Sequence, residues 1–134
     1  MSNPRYDWWS YVKGMIYRYP ALCDQHSQAM AQKITPSYAA QPSSSESSRT
    51  TEDLVARAMS RTNLRAFDAV RLAIQQTENV KGGDAQLRLI RLIYWERTHT
   101  LSGAAMEVHI SVPTAKRWHG DFIRRVAQNF GLLD

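Results

Sequence analysis

One cysteine, Cys23, stands in the whole of the 134 residues. That leaves no partner for a disulfide framework and no thiolate pair for a metal. A reducing, cytoplasmic compartment is the expectation. No apolar run approaches the ~18 residues that a membrane span needs. The opening MSNPRYDWW has no basic segment followed by an apolar block, so no secretory signal is expected. Alternation at period two never persists, and no Asn-Gly or Asp-Gly hairpin turn occurs. The fold expected is therefore all-α. A Gly-rich phosphate loop, a nucleophile elbow and a paired-carboxylate constellation are also missing. His99, His109 and His119 recur at every tenth position, which is not ligand spacing on one helical face. No enzyme activity, no metal and no cofactor is expected; Glu96 and Glu107 read as surface residues.

What the chain does have is positive charge: a formal net +5 and a pI of about 9.7. Such a balance suits a polyanionic partner. Much of the excess is concentrated between Ser111 and Arg125, where Lys116, Arg117, Arg124 and Arg125 face the single acid Asp121. A solvated helix face would look similar.

The chain divides by composition. Residues 1–34 read as an N-terminal helical arm rich in aromatics: Tyr6, Trp8, Trp9, Tyr11, Tyr17 and Tyr19. Apolar spacing predicts a helix from Asp7 to Tyr19, ended by Pro20 because the residue before proline avoids the helical region. A shorter helix is predicted from about Ala21 to Lys33. Aromatics at helical spacing usually mean packing or a protein interface, although they can also stack on bases. Residues 35–50, TPSYAAQPSSSESSRT, offer two prolines and six serines with little to bury, and read as a flexible linker.

Residues 51–134 read as a helical domain. A first helix is expected from Thr51, with Glu52 and Asp53 favoured by the helix dipole. Ser60 to Asn63 is polar enough to break or bend it. Phe67, Val70, Ile74 and Thr77 continue at helical spacing, and Gly82-Gly83 is a stop. Asp84 is the expected cap of a helix to about Glu96, with Leu87, Ile90, Ile93 and Tyr94 inward and Leu89 at the margin. Gly131 should end the last helix and let Leu132-Leu133 fold back.

The stretch Thr100 to Gly131 carries the most specific pattern. Thr100 can cap a helix whose inner residues are Leu101, Ala104, Ala105 and Val108. Ser111 can cap a second, with Pro113 tolerated in its first turn. Ala115, Trp118, Phe122 and Val126 form that helix's inner face. Pro113, Thr114, Lys116, Arg117, Gly120 and Arg124 form the opposite one. Two helices at a tight turn, a small residue at Ala105 and apolar residues at 104, 108, 110, 115 and 118 make a helix-turn-helix at about 100–127. The turn position His109 is one where the backbone tends to φ > 0, which histidine tolerates better than most residues. A plain two-helix hairpin shares the apolar spacing. It has less reason to begin its second helix with Ser-Val-Pro-Thr and then Lys-Arg.

Three places in the chain are similar to one family: MIYRYPAL, the pair FDAVRLAIQQT and LRLIRLIYWER, and above all TLSGAAMEVHISVPTAKRWHGDFIRRVAQNFGL. The chain resembles phage-encoded late transcription activators of the RinA and ArpU type, which end in a domain like region 4 of bacterial sigma factors. Residues 1–34 and 51–134 are covered. His109 and the bulky Trp118 depart from the pattern. The resemblance implies a sequence-specific transcription regulator of phage or prophage, acting on double-stranded DNA in a bacterial host. It implies bacterial RNA polymerase as a further partner. Carried onto this sequence, Pro113, Thr114, Lys116 and Arg117 would face the major groove, and Ser111 and Arg124 would lie nearer phosphates. Chemistry agrees: arginine can bridge guanine O6 and N7, while Lys116, Arg124 and Arg125 suit phosphates. A single motif of this size binds weakly alone, so a second copy or a protein partner is expected, with the N-terminal arm as the contact. Two other readings remain at this point. One is a DNA-recognition subunit for packaging, like a small terminase; the other is a helical adaptor whose basic helix binds an acidic protein.

Overall fold

Helix caps written in the sequence set most of the boundaries. A computed structural model describes residues 7–40, with side chains to 31, and residues 59–133. Among these residues every regular element is a helix. In chain order they are α1 (Trp8–Ala40), α2 (Arg61–Glu78), α3 (Gly83–Ile90) continued by a π turn (Arg91–Trp95), α4 (Leu101–Val108) and α5 (Val112–Phe130). The expected start of a helix at Thr51 lies outside the described residues, as does the expected linker from 41 to 50. The described part of the domain opens at Ser60, whose hydroxyl accepts from the Asn63 amide and caps α2.

Pro20 does not end the first helix. A proline removes the amide that would bond to the carbonyl four residues earlier, here that of Ile16. The Trp95 indole Nε1 donates to this same carbonyl at 2.8 Å. The orphaned acceptor is satisfied from the π turn, and α1 runs unbroken past Pro20. It continues to Ala40, into the stretch expected to be linker.

Nor does the N-terminal segment stand apart as an arm. Val12, Met15, Ile16 and Leu22 are all buried in one cluster with Phe67 and Val70 of α2, Tyr94 of the π turn, and Phe122, Ile123 and Val126 of α5. Trp8, Trp9 and Tyr19 pack against the same cluster.

The Gly82-Gly83 stop is present, but Asp84 is not the cap. Gly82 occupies the cap position in the left-handed region, at φ 76°. Gly83 then opens α3, where a Cβ would run into the Thr77 carbonyl. The inner face of α3 also differs from the one expected. Leu89 and Leu92 are buried, while Leu87 and Ile93 are half-buried. Two causes act together. The π turn shifts the helical phase, with the Glu96 amide bonding to the Arg91 carbonyl at 2.8 Å. The segment also lies between two clusters: Ile90 and Tyr94 enter the first, while Leu89 and Leu92 enter a second with Ala104, Ala105 and Ala115. That second cluster holds α4 and the first turns of α5 against the rest of the molecule.

Candidate nucleic-acid interface

The turn between α4 and α5 is built from its own residues. Thr100 accepts from the Gly103 amide at 3.1 Å and starts α4. His109 ends it in the left-handed region, at φ 67° and ψ 45°. Its amide bonds to the Met106 carbonyl, and the Ile110 amide reaches back to Ala105. Those two bonds are the Schellman pattern, with histidine where glycine is usual. Ser111 follows in extended backbone, and its Oγ accepts from the Thr114 amide at 3.2 Å. The Ser111 hydroxyl in turn donates to Thr114 Oγ1 at 2.9 Å. Pro113 sits in the first turn of α5, where its missing amide costs nothing. The last helix ends as expected at Gly131, φ 98°, and Leu133 packs back onto the core while Leu132 stays exposed.

The residues expected at the interface fall on the outside of this unit. Ser111, Pro113, Lys116, Arg117 and Arg124 are exposed, and Thr114 is half-buried. The helical period lines up Pro113, Arg117, Gly120 and Arg124 along one stripe, with Lys116 off to one side of its centre by about 70°. From Pro113 to Arg124 this stripe spans roughly 16 Å. Among the described residues, Lys116 and Arg117 have no carboxylate partner. Arg124 lies 3.6 Å from Asp121 Oδ1. At half-exposed sites such a pair contributes little.

Two residues of this helix sit elsewhere than expected. Gly120 belongs to the stripe by spacing but is buried. The three atoms nearest to a Cβ there would all be in the Arg124 guanidinium, beginning with Nη1 at 3.1 Å. Arg124 therefore folds back over Gly120, and its guanidinium lies over the Trp9 ring at 5.9 Å. Arg125, expected to meet phosphate, turns inward instead. It donates to Thr77 Oγ1 at 3.0 Å, and that hydroxyl donates to the Ala73 carbonyl at 2.8 Å. Its place on the α2 side of the helix commits it to packing.

Spacing alone also missed the joint behind the stripe. His119 Nε2 and the Tyr94 hydroxyl share a hydrogen bond of 2.7 Å, and the two rings stack at an interplanar angle of 13°. Trp9 meets His119 edge-on, with ring centroids 6.5 Å apart. Burial, with the Lys13 ammonium adding to it, pushes the His119 pKa down to about 4. Burial also raises the Tyr94 phenol, with Tyr17 adding to that effect. The imidazole is thus neutral at ordinary pH and ties α5 to the π turn and to α1. The sequence signal was present but ambiguous: His119 lies between Trp118 and Gly120 on a helix whose inner face could be drawn through either side. No group of three metal-binding side chains occurs among the described residues. His99 instead faces Glu107 at 3.8 Å, and Arg88 faces the same carboxylate at 3.5 Å. None of the described helices is long and apolar enough to cross a membrane. Compared with protein-family models, curated proteins and solved structures, the chain matches none of them.

Proposed function

We propose that this chain is a sequence-specific DNA-binding regulator that inserts the first turns of α5 into the major groove, with α4 behind it. One observation carries the reading. At the start of α5 a capped, proline-braced turn presents Pro113, Thr114, Lys116 and Arg117 outward, and the two cations there are unpaired among the described residues. An α-helix fits the major groove, and its N-terminal side chains reach base edges. Arg117, exposed one turn after Pro113, suits guanine O6 and N7. The Thr114 hydroxyl is engaged by Ser111, which leaves its methyl group for a thymine methyl. Lys116 and Arg124 suit phosphates, and the amides beside Ser111 lie at a helix N-terminus that favours one. The resemblance to phage late activators adds transcription as the process and RNA polymerase as a partner.

The test is selection of purified protein on a genomic fragment library, with wild type and Arg117→Ala side by side. The expected result is one short enriched motif for wild type and relaxed preference at one base position for Arg117→Ala, about 1–3 kcal/mol of lost discrimination. Lys116→Ala should weaken binding evenly across sites and lower the salt slope by about 1. If wild type enriches nothing even at low salt, the basic helix is a protein-contact face and the reading is wrong. A ring of many subunits on DNA would instead support packaging.

A further inference from the structure

Among the exposed cations of α5, Lys116, Arg117 and Arg124, it is Arg124 that is held. Its guanidinium lies over the Trp9 ring at 5.9 Å and 3.6 Å from Asp121 Oδ1. It also occupies the space that a side chain at position 120 would take, since a Cβ on Gly120 would come within 3.1 Å of its Nη1. Because it folds toward residue 120, the charge is displaced along α5 toward Arg117 rather than trailing toward the C-terminus. Trp9 is itself fixed from behind, edge-on to His119 at 6.5 Å and packed against the main core. From this arrangement we infer that Trp9 is a positioning residue for DNA. It holds the Arg124 guanidinium over Gly120, so that this group meets a backbone phosphate beside the groove without first being ordered.

The inference rests on the proposed DNA-binding function and deepens it. A long arginine side chain loses rotamer freedom when it is immobilised on a ligand, and a side chain already immobilised in the free protein loses less. The aromatic contact also suits arginine. A planar, delocalised guanidinium lies on an indole and still offers its edge to phosphate oxygens; a lysine ammonium cannot do both. Asp121 neutralises the charge in the free protein, and its half-exposed contact yields readily to a phosphate.

The experiment is a double-mutant cycle of Trp9→Leu and Arg124→Lys. Binding is read on a fixed duplex by fluorescence anisotropy at several salt concentrations, and Tm is read for each variant. Arg124→Lys keeps the charge, and it should still weaken binding about 2- to 5-fold, the range of a partly exposed cation–π contact. Trp9→Leu should weaken binding by a similar factor when residue 124 is arginine and leave it unchanged when residue 124 is lysine. An equal loss in both backgrounds would mean that Trp9 acts through stability alone and would overturn the inference. Unchanged binding in every variant would overturn it too. A second measurement needs no DNA: the Arg124 side-chain protons should show an upfield ring-current shift by NMR that disappears in Trp9→Leu. If wild type binds no duplex at low salt, the DNA reading itself fails, and that result is distinct from a cycle that binds but shows no coupling.

Discussion

His119 is the residue whose chemistry most depends on its surroundings. On a bare helix it would titrate near 6.5; here burial favours the neutral ring and pushes the pKa down to about 4. The folded chain therefore takes up its proton later than the unfolded chain as pH falls. Stability attributable to this group is full above about pH 6.5, declines as pH falls toward 4, and changes no further below that. The loss is on the order of 3 kcal/mol at most. Urea denaturation of wild type and His119→Phe between pH 7 and 4 should show the difference between them narrowing or reversing toward acid. Parallel curves would mean that His119 is not buried neutral. The neighbouring residue scale was only half legible. Thr100, Ser111 and the left-handed His109 follow from local chemistry, because a hydroxyl reaches an amide three positions on and histidine tolerates φ > 0. The inward turn of Arg125 toward Thr77 was not legible, because its partner lies on another helix.

At the level of elements, α1 differs most from what its residues suggest. Pro20 should stop a helix, and in isolation it would. It is tolerated because Trp95 supplies the missing donor to Ile16. Trp95→Phe should therefore cost about 1–3 kcal/mol, much of it from leaving that carbonyl unsatisfied. In a Pro20→Ala background the backbone amide returns, and the same substitution should cost about 1 kcal/mol less. Equal costs in both backgrounds would show that Trp95 contributes by packing alone. The π turn that carries Trp95 is equally non-local in origin. It lets Ile90 and Tyr94 face one cluster while Leu89 and Leu92 face the other.

On the scale of the whole molecule, α1 is part of the core rather than an appendage. Val12, Met15, Ile16 and Leu22 are each 1% exposed or less. Removing them would uncover the packed faces of α2 and α5. A fragment of residues 51–134 should accordingly lose cooperative thermal unfolding by circular dichroism and expose hydrophobic surface to dye. A sharp transition in that fragment would show that residues 51–134 fold alone. The shared core also narrows what α1 can offer a second protein: Trp8, Trp9 and Tyr19 are engaged with the core, while Tyr11 and Tyr17 remain 45% and 37% exposed.

The sequence by itself determined the all-helical class, the caps at Thr100 and Ser111, the stop at Gly131 and the basic stripe on α5. Each depends on spacing within one element or on a side chain reaching its own backbone, and such interactions act over a few residues. Only the tertiary structure decided that α1 passes through Pro20, that Leu89 and Leu92 are core, that Gly120 lies beneath Arg124, and that Arg125 turns inward. In each of these the deciding partner is distant in sequence or reached only once the helices pack: Trp95 for Ile16, Thr77 for Arg125, and Trp9 for Arg124. A hydrogen bond or a buried surface between helices is set by how they cross, and that crossing is a property of the whole core rather than of any one segment.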